Sequence, residues 1–347
     1  MQNLFIPKGF IFQWHITERC NLKCKHCYQD SILSKELSFE KLVEILNQIE
    51  KATDFWKSKR PIEFRNKFRP NITLTGGEPF IREDIFDLLD EIKKRNKFRI
   101  AILSNGIMIT KEIAKKLKKY NLDFFQISLD GLEETHDLIR GKGNFKNAIN
   151  GIKLLTKEKI PVMISFTANK KNYKEITELT KLTKKLKVFK FWSDRFIPEG
   201  KGKEITDLTL NKLDTKEYCE TLRLAKKETT NFFSKSNVFM QRSLQFLCGG
   251  EYYSCGAGKT VTAILPNGDL MPCRRLNLKT ENLFKKPFLE IFYKNKKFKE
   301  IREEISSKLF DYVDCKNCIY FSKCKGGSKC LSYAIAKKFK KDPGCWI

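Results

Sequence analysis

Near the N-terminus, the run Arg19-Cys20-Asn21-Leu22-Lys23-Cys24-Lys25-His26-Cys27-Tyr28 carries three cysteines in the spacing C-x3-C-x2-C. Three thiolates that close together can hold one metal centre from one side and leave a coordination position open for chemistry. Structural zinc needs a fourth ligand, and only His26 is at hand for it. A disulfide leaves one of the three cysteines over. An iron–sulfur cubane held by three thiolates keeps one iron without a protein ligand. Spacing alone therefore leaves zinc, disulfide and cluster open.

Composition narrows the setting. The chain has 347 residues, 41% hydrophobic and 31% charged, enough for one barrel-sized domain plus a smaller one. It contains no apolar run of membrane-spanning length and no signal-peptide layout, so a cytoplasmic location and no membrane partner are expected. Disulfides are uncommon there, and the 12 cysteines point to metal instead. The net charge of +27 comes mostly from lysines in scattered amphipathic runs such as residues 181–187, which read as solvated helix faces. That distribution speaks against a nucleic-acid partner and suits an acidic peptide or an anionic small substrate.

The elements that must position the cysteines alternate. Residues 10–16 read as a strand running straight into the cysteine loop. A helix follows from the N-cap Ser38, with Phe39, Leu42, Val43, Leu46 and Ile49 on one face. Residues 71–75 form a second strand that ends in Gly76-Gly77-Glu78-Pro79, and Ile81, Ile85, Phe86, Leu88, Leu89 and Ile92 then repeat at helical spacing. Further strands are expected at 99–103, 123–129, 162–167 and 188–192. Six strand–helix units in a row argue for a parallel α/β architecture. The cysteine loop, Gly76–Pro79, Ser104-Asn105-Gly106 and Asp130-Gly131 all follow the carboxyl end of a strand, which favours an incomplete barrel over an open sheet.

On these residues the chain resembles the radical S-adenosylmethionine superfamily: Cys20-x3-Cys24-x2-Cys27 followed by Tyr28, with Gly-Gly-Glu-Pro at 76–79 after the second strand. The resemblance implies a partial (β/α)6 TIM-like barrel and a [4Fe–4S] cluster on Cys20, Cys24 and Cys27. The open iron of that cluster would chelate S-adenosylmethionine. Reductive cleavage would then give methionine and a 5′-deoxyadenosyl radical that takes hydrogen from a substrate. It further implies that Gly76, Gly77, Glu78 and Pro79 meet the cofactor's amino group and that Tyr28 lies by its adenine. Ser104, Asn105, Ser128, Asp130 and Arg140 match positions that reach the ribose, sulfonium or carboxylate. A flavodoxin- or ferredoxin-type reductant is implied as well.

The C-terminal third carries a second resemblance. Cys255, Gly268 and Cys273 stand as C-x12-G-x4-C around a hairpin turned by Pro266-Asn267-Gly268-Asp269, and Cys315, Cys318, Cys324, Cys330 and Cys345 follow. This is similar to the SPASM auxiliary-cluster domain. It implies one auxiliary cluster on Cys315, Cys318, Cys324 and Cys345, and three corners of another on Cys255, Cys273 and Cys330. Two departures bear on that second set. Five residues separate Cys324 from Cys330 where three are usual, and Val261 stands where some members have a further cysteine, which leaves that cluster either with an open iron or with Cys248 as a further ligand. The expected division is a barrel over 1–210, a helical linker over 211–247 and a cluster domain over 248–347.

Substrate information is thin. Arg274 and Arg275 follow Cys273 where sulfatase-maturating relatives have aspartate, which argues against formylglycine formation. The segment 195–202 and the ending 342–346 resemble peptide-maturing and heme-pathway members. Modification of a ribosomally made peptide, by thioether formation, epimerisation or a carbon–carbon crosslink, is the leading expectation. The barrel starts almost at residue 1, so a separate leader-recognition protein is expected with it. A tetrapyrrole or other cofactor precursor, and a non-catalytic iron–sulfur scaffold or electron carrier, are the alternatives.

Overall fold

A computed structural model describes residues 4–29, 36–230, 236–302 and 310–347. Its strands, in chain order, are β1 (Ile11–Thr17), β2 (Asn71–Gly76), β3 (Arg99–Ser104), β4 (Phe124–Ser128), β5 (Val162–Ala168), β6 (Lys190–Arg195), β7 (Val238–Phe239), β8 (Val261–Ile264) and β9 (Leu270–Met271). Helices follow the first six, so the expected α/β class and the sixfold strand–helix alternation are observed. Among the described residues, no helix is long and apolar enough to cross a membrane.

The chain forms two compact units. The first gathers described residues 4–21, 36–103 and 256–302. Its strands run in the order β3-β2-β1-β8-β9, parallel except for the antiparallel β8–β9 hairpin. Every residue of β2 is buried, as a parallel strand covered on both faces requires. The sequence had suggested the hairpin but not its place: β8 pairs in parallel with β1, Ile11 opposite Val261. Its turn is built as expected, with Gly268 at φ +87° and the Asn267 Oδ1 accepting from the Asp269 N–H at 3.1 Å.

The helix Phe39–Ser58 covers this sheet because Leu42, Ile45, Leu46, Ile49, Ala52 and Trp56 recur at helical spacing and are all buried. Ser38 occupies the N-cap, but its side chain makes no capping bond to the backbone. Trp56 anchors an aromatic cluster with Phe10 (ring centroids 4.5 Å), Phe292 (5.4 Å), Phe288 (5.9 Å) and Phe12 (6.0 Å). Its Nε1–H donates to the Tyr293 hydroxyl at 2.9 Å, so the ring's one polar atom is satisfied.

The second unit gathers described residues 22–29, 104–230, 236–255 and 310–347. Its strands β4-β5-β6-β7 are all parallel. Of the stretch 211–247, residues 231–235 lie outside the described residues. The remainder holds the helix Lys212–Glu228, opened by a reciprocal Asn211/Asp214 capping box, and then β7, which pairs with β6. Tyr218 on that helix bonds the Ser193 hydroxyl at 3.1 Å and receives the Gln245 amide at 2.9 Å, which ties the helix to β6.

Replacing Trp56 by alanine should lower the unfolding free energy by about 3–5 kcal/mol, and by phenylalanine by less. The shift in denaturant midpoint, followed by circular dichroism, measures both.

Candidate functional site

In the first unit the ends of β1 and β2 form a backbone cradle. The strands stay in parallel register to Thr17 opposite Gly76, with an irregularity between His15 and Thr17. Beyond that the two chains remain together: Gly77 N–H donates to Thr17 O and Glu78 N–H to Arg19 O, both at 2.9 Å. A Cβ on Gly76 would stand 2.2 Å from Thr17 O, and one on Gly77 2.1 Å from Arg19 O. Only glycine permits this approach, and Gly76 also has φ +150°. The cradle's partners are thus the three residues that lead into Cys20.

Side chains lock the cradle. The buried Arg82 donates to Ile16 O at 3.1 Å and to Leu37 O at 3.2 Å, and forks onto Asp84 at 2.6 and 2.8 Å. Thr17 and Arg19 both bond Glu36, whose carboxyl lies below its ordinary value: partial burial raises it, and the bonds from Arg19 and Thr17 outweigh that. Glu78 is fully buried and accepts from Phe80 N–H at 3.3 Å, capping the short turn Pro79–Ile81. On β1, His15 is held well below its usual value by burial and by the Arg274 charge, so it is neutral.

In the second unit the rest of the cysteine loop is pinned by backbone. Lys25 N–H donates to Ile139 O at 3.0 Å, Gly202 N–H to Cys27 O at 3.1 Å and Lys201 N–H to Gln29 O at 3.3 Å. Gly200, at φ +60°, lies against Tyr28, where a Cβ would come within 2.4 Å of the Tyr28 carbonyl carbon. The loop leaving β6 is therefore a support of the cysteine loop, and Tyr28 is half-buried beneath it.

Asp130 and Arg140 meet beside Cys24. Arg140 Nε contacts Asp130 Oδ2 at 2.5 Å, and its Nη1 lies 3.6 Å from Cys24 Sγ. His26 Nε2 is 3.3 Å from Asp130 Oδ2. Burial would raise the Asp130 carboxyl, but the Arg140 charge and the Thr167 N–H hold it below its ordinary value. The opposite balance raises Arg140, where Asp130 and Cys24 outweigh desolvation. Burial lowers His26 to about 4 and His136 to about 4, so both rings are neutral. Burial pushes the Cys24 thiol up although Arg140 pulls it down.

The other expected contacts shape their own loops. Ser104 Oγ accepts from Gly106 N–H at 2.9 Å and Asn105 Oδ1 from Ile107 N–H at 3.0 Å. Ser128 ends β4, opposite Ser165 on β5.

At the C-terminus, Cys315, Cys318, Cys324 and Cys345 line one cavity of about 260 Å³ together with Asp342 and Gly326. Short backbone bonds set their spacing: Cys318 N–H to Cys315 O at 3.0 Å, Gly327 N–H to Cys324 O at 3.1 Å and Cys345 N–H to Asp342 O at 2.9 Å. Burial, then the neighbouring Asp342, Cys345 and Cys315, pushes the Cys324 thiol up to about 11. Four soft sulfurs around one cavity fit a thiolate-held cluster. Among the described residues no three His, Cys, Asp or Glu side chains are drawn together as around a single metal ion.

A buried ion pair holds this cage. Arg195, at the end of β6, grips Asp342 through Nη1–Oδ1 at 2.8 Å and Nη2–Oδ2 at 2.5 Å, with both side chains buried. Asp342 also accepts from Ser328 N–H at 2.7 Å and Gly344 N–H at 2.9 Å. Both residues lie in segments marked by resemblance, but nothing in the sequence pairs them. Cys330 opens the helix Lys329–Ala336, its sulfur 3.4 Å from Ser328 Oγ, and is not among the residues lining the cavity. Cys255 belongs to the second unit and Cys273 to the first, just after β9. The Cys248 thiol donates to Glu220 Oε1 at 3.2 Å and is hydrogen-bonded to the Cys219 thiol, both cysteines being free of disulfides.

Two substitutions probe these supports. Gly77→Ala should displace the Arg19 carbonyl and loosen the edge between β1 and β2, read as at least tenfold faster amide hydrogen exchange at positions 77 and 78. Arg195→Met leaves the buried Asp342 carboxylate without its cation and should cost about 3–5 kcal/mol of stability, read from the denaturant midpoint.

Comparison with known proteins agrees with this geometry. Residues 14–183 match the radical SAM superfamily, and residues 255–319 match an iron–sulfur cluster-binding domain, SPASM. The chain is 33% identical over 241 residues to Fe-coproporphyrin III synthase of Methanosarcina barkeri, covering 69% of this chain and only 56%, about half, of that relative. It is 27% identical over 349 residues to the mycofactocin maturase MftC of Mycolicibacterium smegmatis, covering 96% of this chain and 81% of that one. In fold it is similar to SuiB of Streptococcus suis, solved with its precursor peptide SuiA: TM-score 0.74, 20% identity, 99% of this chain and 77% of that chain. The chain belongs to the radical S-adenosylmethionine superfamily of enzymes, in the SPASM subfamily, with S-adenosylmethionine and iron–sulfur clusters as its cofactors.

Proposed function

We propose that this enzyme modifies a ribosomally made peptide by hydrogen abstraction in the cytoplasm, with its radical site in residues 1–210 and its auxiliary clusters in 248–347. The observation that carries the radical reading is the Gly76–Gly77 backbone cradle against the residues leading into Cys20. In this reading Cys20, Cys24 and Cys27 hold the first cluster, and the cradle with Glu78 receives the cofactor's amino group. Cys315, Cys318, Cys324 and Cys345 hold one auxiliary cluster, and Cys255, Cys273 and Cys330 hold part of another. Bound there, the first cluster and S-adenosylmethionine supply a 5′-deoxyadenosyl radical that takes a hydrogen atom. The protein's own part is to fix the cofactor edge through backbone and to hold Arg140 against the buried Asp130.

The peptide reading is supported by the relation to MftC over 96% of this chain; the excess of lysine and arginine, 68 against 41 acidic residues, suits an acidic leader and an anionic small substrate alike. A separate leader-recognition protein and a flavodoxin- or ferredoxin-type reductant complete the system. One observation favours a second reading, a tetrapyrrole precursor: the 33% identity to Fe-coproporphyrin III synthase.

Reconstituted, reduced enzyme should convert S-adenosylmethionine to 5′-deoxyadenosine under anaerobic conditions, and Cys27→Ala should not. With a deuterated peptide encoded beside the gene, deuterium should appear in 5′-deoxyadenosine by mass spectrometry. Transfer from iron coproporphyrin and none from the peptide reverses the substrate assignment. Full iron loading without any cleavage removes the enzyme reading.

A further inference from the structure

Arg140 ends the helix Glu133–Arg140, and its guanidinium meets three groups at once: Asp130 Oδ2 at 2.5 Å, His26 Nε2 at 3.4 Å and Cys24 Sγ at 3.6 Å. Asp130 has no exposed surface, and its other oxygen accepts from Thr167 N–H at 2.7 Å. The guanidinium cannot swing away without leaving that carboxylate buried and unpaired, which is costly. Arginine stays charged at any working pH, so the sulfur faces a fixed cationic donor. Reducing an iron–sulfur cluster adds negative charge, part of it on the thiolates. A donor aimed at one of those sulfurs stabilises the reduced state, and such hydrogen bonds are among the terms that set cluster potentials.

We infer that Arg140, held in place by Asp130, donates a hydrogen bond to the Cys24 thiolate and raises the reduction potential of the cluster bound by Cys20, Cys24 and Cys27. Asp130 is the positioning residue. The inference rests on the assignment of those three cysteines to a cluster. It gives Arg140 a task on the protein side of the cluster, separate from the cofactor contact implied by family resemblance.

Potentiometric titration of the reconstituted full-length protein, read by electron paramagnetic resonance without S-adenosylmethionine, tests it. At a fixed potential, Arg140→Gln should lower the reduced-to-oxidised ratio of the first cluster about tenfold, a shift of about 59 mV for one electron. Arg140→Lys, which keeps the charge without the fork, should shift less, and Asp130→Asn should shift in the same direction. In unsubstituted protein carrying guanidino-¹⁵N arginine, the reduced-cluster signal that responds to S-adenosylmethionine should show a ¹⁵N hyperfine coupling. Variants with full iron and an unchanged midpoint overturn the inference, even where cofactor binding falls, because Arg140 is then a cofactor contact alone. Should the Arg140 variants lose their iron, the ¹⁵N measurement decides, and absence of coupling overturns the inference. Absence of any S-adenosylmethionine-responsive signal in unsubstituted protein overturns the cluster assignment itself.

Discussion

The approach of two peptide backbones at the ends of β1 and β2 sets the course of the chain into Cys20. Gly77 and Glu78 continue to donate backbone N–H bonds to Thr17 O and Arg19 O after the strand ladder has ended, and a methyl group on Gly76 or Gly77 would collide with those carbonyls. A ligand arriving at this edge meets peptide N–H and C=O groups whose positions are set by the sheet, not side chains that must first be ordered. Arg82, Glu36 and the capped turn at Glu78 preserve that edge from behind. The cysteine loop inherits its starting direction from the sheet.

The C-terminal cage solves a different problem with different means. Its cysteines lie on short turns and one-turn helices, elements that store little stability of their own. A buried arginine–aspartate pair supplies what the local backbone lacks, and the carboxylate distributes its remaining capacity to two N–H groups of the cage. Such a pair contributes geometry more than net stability, because desolvation consumes most of its attraction. One residue at the end of β6 thereby shares in ordering four sulfurs more than 100 positions away in sequence.

Much of this was legible in the residues. Periodicity and strand-end placement gave the alternation of β1 to β6, and the two cysteine patterns with Gly-Gly-Glu-Pro gave the family. What stayed hidden was pairing at a distance. Nothing local to Arg195 or Asp342 announces that they meet, and nothing near Val261 says that β8 lies beside β1 rather than forming an isolated hairpin. The pairing of β7 with β6 was equally hidden, because a two-residue strand leaves no periodic pattern. Ser104 and Asn105 add local order that their motif did not announce: each side-chain oxygen accepts from a backbone N–H two residues on.

The pairing of β8 with β1 also bears on how the chain is made. Val261 leaves the ribosome 250 residues after Ile11, its partner in the sheet. At 5–20 residues per second, β1 waits on the order of 10–50 s with one edge open. Phe12, Trp14 and Ile16, all fully buried in the finished protein, sit on that waiting strand immediately before three reactive thiols. Until the hairpin arrives, that edge of β1 lacks its partner strand, and an unpaired apolar edge is the kind of surface on which chains associate wrongly.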